Sequence, residues 1–353
     1  MNLFESFEAL KPLPVADHET TFLKTLTDEL SEALSLYWAI ASRILQGSGI
    51  NLLDAPANYY SLERNFFSAI FLYSYYRAGI PESRRIFYAA INQCLRGMVT
   101  GCDNILDDEY KQTLHTDLPE QGRKFRSVLD IMASDRVLFE ILLVKYREKD
   151  ISCEDVIVAS RASLSALTRS GVQEASEEGG IDNMLKPDEV LKSVHHYKTG
   201  LLFQCPWAVP PLIEKNLARE TVSHMMEALY QIGIGCQIMD DMVDLGLDLK
   251  VGRHNYVTAL IHHDPASRPI MKNMRLRLDS LLASGIDPEK TTNLLFEFPG
   301  AQRAAAEMAR SFLEKGMKAL FTDQHALMVE PAIVLIARQI GADRFMPGLT
   351  DDL

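Results

Sequence analysis

Three carboxylates interrupt an apolar stretch in the second half of the chain. Asp240, Asp241 and Asp244 lie in the run between Ile238 and Leu245. On an α-helix, Asp240 and Asp244 would share one face, where two like charges destabilise the helix by about 0.2–0.5 kcal/mol. A hard divalent cation is the simplest group that would offset this repulsion. The ordinary alternative is an acidic turn at the surface of a helix.

The first half of the chain repeats this spacing. Asp103 and Asp107 are again four residues apart, after an apolar segment of helical periodicity at residues 88–102. If the two pairs face each other across a helical bundle, four carboxylates share one cavity, which is strongly unfavourable without cations. Mg²⁺ prefers oxygen ligands and commonly bridges carboxylates to substrate phosphates. The pattern therefore predicts a Mg²⁺ site that binds a diphosphate.

Three segments in this order resemble the trans-polyprenyl diphosphate synthases. Residues 237–244 are similar to the second aspartate-rich motif of that family. Residues 103–107 are similar to its first motif, with Asn104 in place of the second aspartate. Residues 197–200, Tyr-Lys-Thr-Gly, are similar to its Lys-Thr motif. Each segment alone is a weak signal, but three in the expected order make the resemblance specific.

The resemblance implies a metal site built from both aspartate-rich motifs. Asp103, Asp107, Asp240 and Asp244 would bind Mg²⁺, with about three ions bound together with the diphosphate. In the family the first and last aspartates of the first motif coordinate the metal, so Asn104 need not abolish binding. The ions would stabilise the charge that develops on the departing diphosphate.

The resemblance also implies roles for residues near the reacting groups. Lys198 would bind the diphosphate, Thr199 would lie near the reacting carbons, and Gln237 would face the cavity. Arg253 stands about where the family has a lysine that reaches the leaving diphosphate, and arginine suits bidentate phosphate contact. The alternatives are a snorkelling Lys198, a Gln237 amide with backbone partners in the core, and a solvated Arg253.

The segments that would bind a second diphosphate depart from the family pattern. Chain-elongating members bind isopentenyl diphosphate through basic residues upstream of the first motif and through an arginine pair after it. Arg64 is retained upstream, but Glu63 and Phe66 occupy basic positions, and Gln112 and Thr113 replace the arginine pair. A glutamate at this place would repel a diphosphate.

Residues just before the first motif bear on substrate binding and pocket size. Arg96 lies at a contact position, where it would either restore one charge to the diphosphate-binding set or pair with Glu63. Lys111 is a further cation after the motif, at the start of a polar loop at residues 111–124.

Met98 and Val99 occupy positions that usually limit pocket depth in the family. Because neither is aromatic, we expect a pocket for a chain of medium length.

Composition narrows the class of protein. The chain has 353 residues, 47% of them hydrophobic, and a formal net charge of −12. This charge argues against nucleic acid as a partner. The five cysteines form no metal-binding or disulfide pattern, and we find no signal peptide and no apolar run of transmembrane length. We therefore expect a cytoplasmic protein.

The apolar periodicity is helical throughout, without strand-like alternation. We predict one all-α domain over residues 1–353, with a flexible arm at residues 1–15 and ten or more helices around a central cavity. The resemblance implies the isoprenoid-synthase bundle. The predicted helices cover residues 20–45, 62–76, 83–110, 125–146, 153–175, 187–205, 221–247, 267–282, 288–296, 302–320 and 325–340.

Three functions remain open from the sequence. The leading hypothesis is ionisation of one all-trans prenyl diphosphate, followed by cyclisation or capture of the cation by water, because the metal motifs are intact while the second diphosphate site is eroded. The alternative is a chain-elongating prenyltransferase that uses isopentenyl diphosphate. The third is a non-catalytic subunit of a heteromeric prenyl synthase. A homodimer is implied by the resemblance, and the chain length of the substrate stays open.

Overall fold

The computed structural model describes residues 17–267 and 294–346, and of residues 17–23, 62 and 63 only the backbone. All regular secondary-structure elements in this part of the chain are helices, so the all-α prediction is confirmed. The predicted arm 1–15 and most of the predicted helices 267–282 and 288–296 lie outside the described residues. The α-helices are α1 Asp17–Leu45, α2 Leu62–Arg77, α3 Glu82–Leu106, α4 Arg123–Arg147, α5 Cys153–Glu177, α6 Pro187–Glu189, α7 Pro210–Ile213, α8 Arg219–Val243, α9 Leu245–Val251, α10 Tyr256–His263, α11 Pro299–Leu320 and α12 Val329–Ile340.

The chain divides into two compact units. The described parts of Met1–Leu167 and Cys205–Ser223 form the first unit, and those of Thr168–Gln204 and His224–Leu353 form the second. The first unit carries the first aspartate-rich motif, and the second carries the Lys-Thr segment and the second motif. Within the described residues, no helix is both long and apolar enough to span a lipid bilayer.

The core of the first unit is the contact between α3 and α4, with α1 packed against both. The two helices approach closely because Gly97 and Gly101 of α3 face α4. A Cβ atom at Gly97 would lie 2.1 Å from Ser134 Oγ, and one at Gly101 would lie 2.7 Å from the carbonyl oxygen of Ser127. Only glycine fits such contacts. The packing therefore fixes the end of α3 that leads into the first motif.

Helix α3 ends at Leu106, four residues before the predicted boundary at residue 110. Asp107 is the C-cap, and Asp108 has a φ of 52°, in the left-handed region, which ends the helix. The following loop is fixed to the segment after α1: the Leu53 N–H donates to the His115 carbonyl (2.8 Å), and the Asn51 side chain donates to Asp117 (2.7 Å). Loop residues 107–122 are therefore held by long-range contacts, which local periodicity does not encode.

The predicted helices that carry the Lys-Thr segment and the second motif both differ from the structure. Residues 187–205 were predicted as one helix, but α6 continues as a π-helix, Val190–Gly200, and then as a 3₁₀ helix, Leu202–Trp207. A π-helix has wider turns than the 3.6-residue period assumes, and such segments often occur at functional sites. The predicted helix 221–247 is divided into α8 and α9 at Asp244.

The π-helix packs closely against α8. A Cβ atom at Gly200 would lie 2.5 Å from the Tyr230 ring, and one at Gly233 would lie 2.9 Å from the Thr199 carbonyl oxygen. The two glycines therefore allow the backbone of the Lys-Thr segment to lie directly against the helix that carries the second motif. At the C-terminal end, the predicted helix 325–340 begins as a 3₁₀ helix, Asp323–Met328, before α12.

Candidate active site

In the second unit, one amide joins the Lys-Thr segment to the second aspartate-rich motif. Thr199 Oγ1 donates to Gln237 Oε1. The Gln237 Nε2 group donates to Asp240 Oδ2 (3.2 Å) and to Asp241 Oδ1 (3.1 Å). Gln237 is buried, and the partners described here are side chains, whereas the alternative from the sequence expected backbone partners. Three of the predicted site residues, Thr199, Gln237 and Asp240, are therefore in direct contact.

Lys198 is surrounded by carboxylates. Its Nζ lies 3.2 Å from Glu174 Oε1 of α5, and Ser170 Oγ donates to its carbonyl oxygen (2.7 Å). Burial acts to lower the pKa of Lys198, but Glu174, Asp248, Asp240 and Asp241 outweigh it and raise the pKa above its ordinary value. The ammonium group is thus held charged beside the second motif. The side chain is 25% exposed, and its predicted contact with a diphosphate stays a prediction. Glu174 and Asp248 carried no signal in the sequence, because their proximity depends on packing.

Asp241 occupies a different environment from its neighbour Asp240. It is 2% exposed, and its carboxylate accepts from Gln237 and from the backbone N–H of Tyr256. The Asn255 amide donates to the Asp241 carbonyl oxygen and to Asp248 Oδ2, both at 2.8 Å. Burial, followed by the nearby Asp241 carboxylate, raises the pKa of Asp248 well above its usual value. Asp241 therefore fixes the end of α8 to the start of α10.

Arg253 lies directly after α9. Gly252 has a φ of 79° and caps α9, and the Arg253 N–H donates to the Asp248 carbonyl (3.0 Å). Arg253 lines a cavity of about 260 Å³. Asp248, Thr258 and His262 also line this cavity. Arg253 is half-buried there, which differs from the fully solvated alternative, and its predicted contact with a diphosphate stays a prediction.

In the first unit, Asp103 and Asp107 lie at the end of α3. Asp103 is half-buried and Asp107 is exposed, and the Asp107 N–H donates to the Asp103 carbonyl (2.9 Å). Asn104 between them is 3% exposed and bonds the loop: its Nδ2 donates to the Lys111 carbonyl (3.0 Å), and its Oδ1 accepts from the Lys111 N–H (2.7 Å). An amide can both donate and accept in this way, whereas an ionised carboxylate can only accept. Asn104 therefore has a structural role that a second aspartate could not fill.

Both aspartate pairs lie at the C-terminal end of a helix. Asp103 and Asp107 end α3, Asp240 and Asp244 end α8, and neither helix has a basic residue in its last turn. The C-terminal end of a helix carries partial negative charge, so carboxylates there are disfavoured unless cations are present. Among the described residues, no three His, Cys, Asp or Glu side chains converge closely enough to hold a metal unaided. Each pair by itself has the oxygen donors that Mg²⁺ prefers, an ion that keeps several waters and shares phosphate oxygens.

Two arginines of the first unit lie close together. Arg96 donates to Asn65 Oδ1 (2.8 Å) and to the Arg64 carbonyl (2.6 Å). Arg64 donates to the carbonyl of Gln112 (2.5 Å). Burial, together with the charge of Arg64, lowers the pKa of Arg96 to about 10. Among the described side chains, no carboxylate forms an ion pair with either guanidinium. The side chain of Glu63 is not among those described, so the predicted Arg96–Glu63 pair stays a prediction.

The loop after the first motif carries Gln112 and Thr113 at the positions compared with the family's arginine pair. Thr113 is 7% exposed, and its methyl group lies near Gly97 of α3. The threonine present here therefore packs against the core, and its comparison with one of the family's arginines stays a prediction. Lys111 is exposed and Gln112 half-buried, so these are the accessible positions. Met98 is 9% exposed and Val99 is half-buried, and their effect on pocket depth stays a prediction.

Comparison with solved structures identifies the fold. The geranylgeranyl pyrophosphate synthetase of Geoglobus acetivorans is 18% identical, with 89% of this chain and 97% of that chain covered and a TM-score of 0.54. The decaprenyl diphosphate synthase of Rhodobacter capsulatus is 14% identical, with 88% and 99% covered and a TM-score of 0.55. The fold is that of the isoprenoid synthases.

A further isoprenoid-synthase structure has a bound ligand. The geranylgeranyl pyrophosphate synthase of Corynebacterium glutamicum, complexed with isoprenyl diphosphate and magnesium, is 15% identical, with 90% of this chain and 98% of that chain covered and a TM-score of 0.50. No family model matches the sequence, and no curated protein matches it. The predicted isoprenoid-synthase fold is confirmed, and at these identities the likeness concerns the fold alone.

Proposed function

We propose that this chain is a Mg²⁺-dependent prenyl diphosphate synthase, which transfers an allylic prenyl group to isopentenyl diphosphate. The observation that supports this most strongly is the contact of Thr199, Gln237 and Asp240 beside a charged Lys198, on an isoprenoid-synthase fold. The similar structures named above are prenyl diphosphate synthases. This favours chain elongation over the cyclisation that the sequence alone placed first.

Asp103, Asp107, Asp240 and Asp244 are the proposed Mg²⁺ ligands. Bound Mg²⁺ would neutralise the charge that develops on the departing diphosphate. Lys198 adds a positive charge for the same diphosphate, and its ion pair with Glu174 holds the ammonium group beside the second motif. Thr199 and Gln237 orient Asp240 through a continuous chain of hydrogen bonds. A carboxylate held in this way loses little conformational entropy when it binds a cation.

Arg64, Arg96 and Lys111 are the proposed contacts for the second diphosphate. Each guanidinium has five N–H donors, and two of these are used by Arg96 in the bonds to Asn65 and to the Arg64 carbonyl. Burial, followed by the charge of Arg64, lowers the pKa of Arg96, and an anion bound between the two guanidinium groups would offset their repulsion. Thr113 is buried near Gly97 and supplies no cation. Arg64, Arg96 and Lys111 are the proposed replacement for the arginine pair that the sequence lacks.

A homodimer is the proposed assembly, and an apolar stripe on α4 supports it. Phe125 is 54% exposed, Val128 38%, Met132 63% and Phe139 39%. The spacings of three, four and seven residues place these four side chains on one face of the helix. Exposed apolar patches of this kind are typical of protein–protein interfaces. A cytoplasmic location stays a prediction.

Binding of isopentenyl diphosphate tests the proposal independently of turnover. Calorimetric titration of the purified chain with isopentenyl diphosphate should give saturable binding. Arg96→Gln should weaken this binding about tenfold or more, since a charge-assisted contact to phosphate contributes about 1.5–3 kcal/mol. Arg43→Gln, which removes an exposed charge elsewhere in the first unit, is the matched control and should leave affinity unchanged.

The same titration distinguishes the second candidate function. Cyclisation or capture of the cation by water requires only one prenyl diphosphate, and Glu63 and Gln112 at two basic positions favour this candidate. A chain that binds farnesyl diphosphate with Mg²⁺ but does not bind isopentenyl diphosphate would support it and contradict chain elongation. A chain that binds neither would favour the non-catalytic subunit.

A further inference from the structure

His195 lies in the π-helix, three residues before Lys198, and is 1% exposed. Its Nε2 is 2.9 Å from Asp241 Oδ2, and Asp241 is 2% exposed. The ring N–H is not aligned with that oxygen, so the contact is electrostatic and not a linear hydrogen bond. A polar ring so deeply buried is costly unless it serves a partner. The partner here is a carboxylate next to a proposed metal ligand.

Asp241 connects three separate elements. Its Oδ1 accepts from Gln237 of α8, and its Oδ2 accepts from the Tyr256 N–H at the start of α10 and contacts His195 of the π-helix. Because three groups orient the Asp241 carboxylate, the backbone at residue 241 is also restrained. The adjacent residue, Asp240, is held by the same amide of Gln237. Movement of the Asp241 side chain would therefore alter the direction of the Asp240 carboxylate.

We propose that His195 is a positioning residue for Mg²⁺ binding, acting through Asp241 on Asp240. The inference rests on the proposed function, because it assumes that Asp240 binds the metal. Groups that orient metal ligands in this way typically change metal affinity by about 10–100-fold when they are replaced. Loss of the imidazole leaves the Asp241 carboxylate with fewer partners in a buried place, so it would turn toward other donors and pull Asp240 with it.

Three variants test this assignment. His195→Leu removes the polar contact, and His195→Gln keeps an Nε2 donor at similar reach. His325→Leu is the matched control: His325 is 7% exposed, belongs to the same unit and is remote in sequence from the motifs. Mn²⁺ binding in the presence of inorganic diphosphate is measured by electron paramagnetic resonance, and thermal unfolding is followed by circular dichroism. Steady-state kinetics give kcat and KM.

We expect His195→Leu to weaken Mn²⁺ binding about tenfold or more and to lower kcat similarly, with less change in KM for the allylic diphosphate. His195→Gln should recover most of both. His325→Leu should lower the melting temperature while Mn²⁺ affinity stays as in the parent. A structural role alone would lower stability in both leucine variants without separating their metal affinities.

Several results would overturn the inference. One is a folded His195→Leu variant that binds Mn²⁺ as tightly as the parent, and another is a glutamine variant as impaired as the leucine variant. If His195→Leu does not fold, His195→Gln is compared with His195→Asn, whose shorter side chain does not reach Asp241; equal metal affinities would then contradict the inference. A parent chain that binds no Mn²⁺ with diphosphate would instead refute the proposed function.

Discussion

Asp130 offers a quantitative prediction about the loop that follows the first aspartate-rich motif. It lies on α4, is 2% exposed, and its Oδ1 accepts from the Leu114 N–H (3.2 Å). Burial raises the pKa of Asp130 to about 7, against the lowering effect of the Leu114 and Thr113 N–H groups and of Arg126. The carboxyl group therefore gains its charge close to neutral pH.

The direction of the pH effect follows from the proton balance. In the unfolded chain the pKa of an aspartate is near 3.9, so between pH 4 and 7 the folded protein binds more protons than the unfolded one. The free energy of unfolding should therefore fall as pH rises through this window and level off above pH 7. A difference of about three pKa units corresponds to at most about 4 kcal/mol. Asp130→Asn keeps the acceptor oxygen but cannot ionise, so it should lack this contribution.

Urea unfolding of the parent and of Asp130→Asn, from about pH 4.5 to 8.5, measures the effect as a difference between two curves. The variant should become more stable relative to the parent as pH rises toward 7. Asp117→Asn is a control with a flat expected difference, because hydrogen bonds from Asn51 lower the pKa of that exposed aspartate and its charge therefore does not change over this pH range. A difference between parent and Asp130→Asn that does not depend on pH would refute the reasoning.

Three further predictions concern the site and the assembly. Asp103→Ala or Asp240→Ala should abolish turnover while the circular dichroism spectrum is retained; a near-parental rate at saturating Mg²⁺ would contradict the metal assignment. A double-mutant cycle of Lys198→Ala and Glu174→Ala, measured by urea unfolding, should give a coupling energy of about 1.5–3 kcal/mol, and additive effects would show that the pair is not coupled. Met132→Glu should convert a dimer to a monomer in sedimentation velocity, and an unchanged dimer would exclude this face of α4 as the interface.

Much of the helical framework could be predicted because the information is local. The apolar period of residues 20–45 gives α1, and that of residues 125–146 gives α4. Glycine and proline mark most of the boundaries correctly. The boundary at the first motif was wrong because residues 107–110 were read as a continuation of the apolar helix. The chain instead turns at Asp108, and long-range bonds hold the following loop.

The surroundings of the motifs could not be predicted in the same way. Glu174 and Asp241 lie far from His195 and Lys198 in the sequence, and only the packing of α5, the π-helix and α8 brings them together. The wider turns of the π-helix also escape a search for 3.6-residue periodicity. The packing of Thr113 was likewise not predictable, because its spacing from the first motif does not indicate that its methyl group lies near Gly97 in the core.

The most direct test of chain elongation is product analysis with the purified protein. The chain is incubated with Mg²⁺ and geranyl, farnesyl or geranylgeranyl diphosphate, each with and without radiolabelled isopentenyl diphosphate, and Asp240→Ala serves as the inactive control. We predict a longer, labelled prenyl diphosphate that forms only when Mg²⁺ and isopentenyl diphosphate are both present. Unlabelled cyclic hydrocarbons or alcohols, formed equally well without isopentenyl diphosphate, would contradict chain elongation.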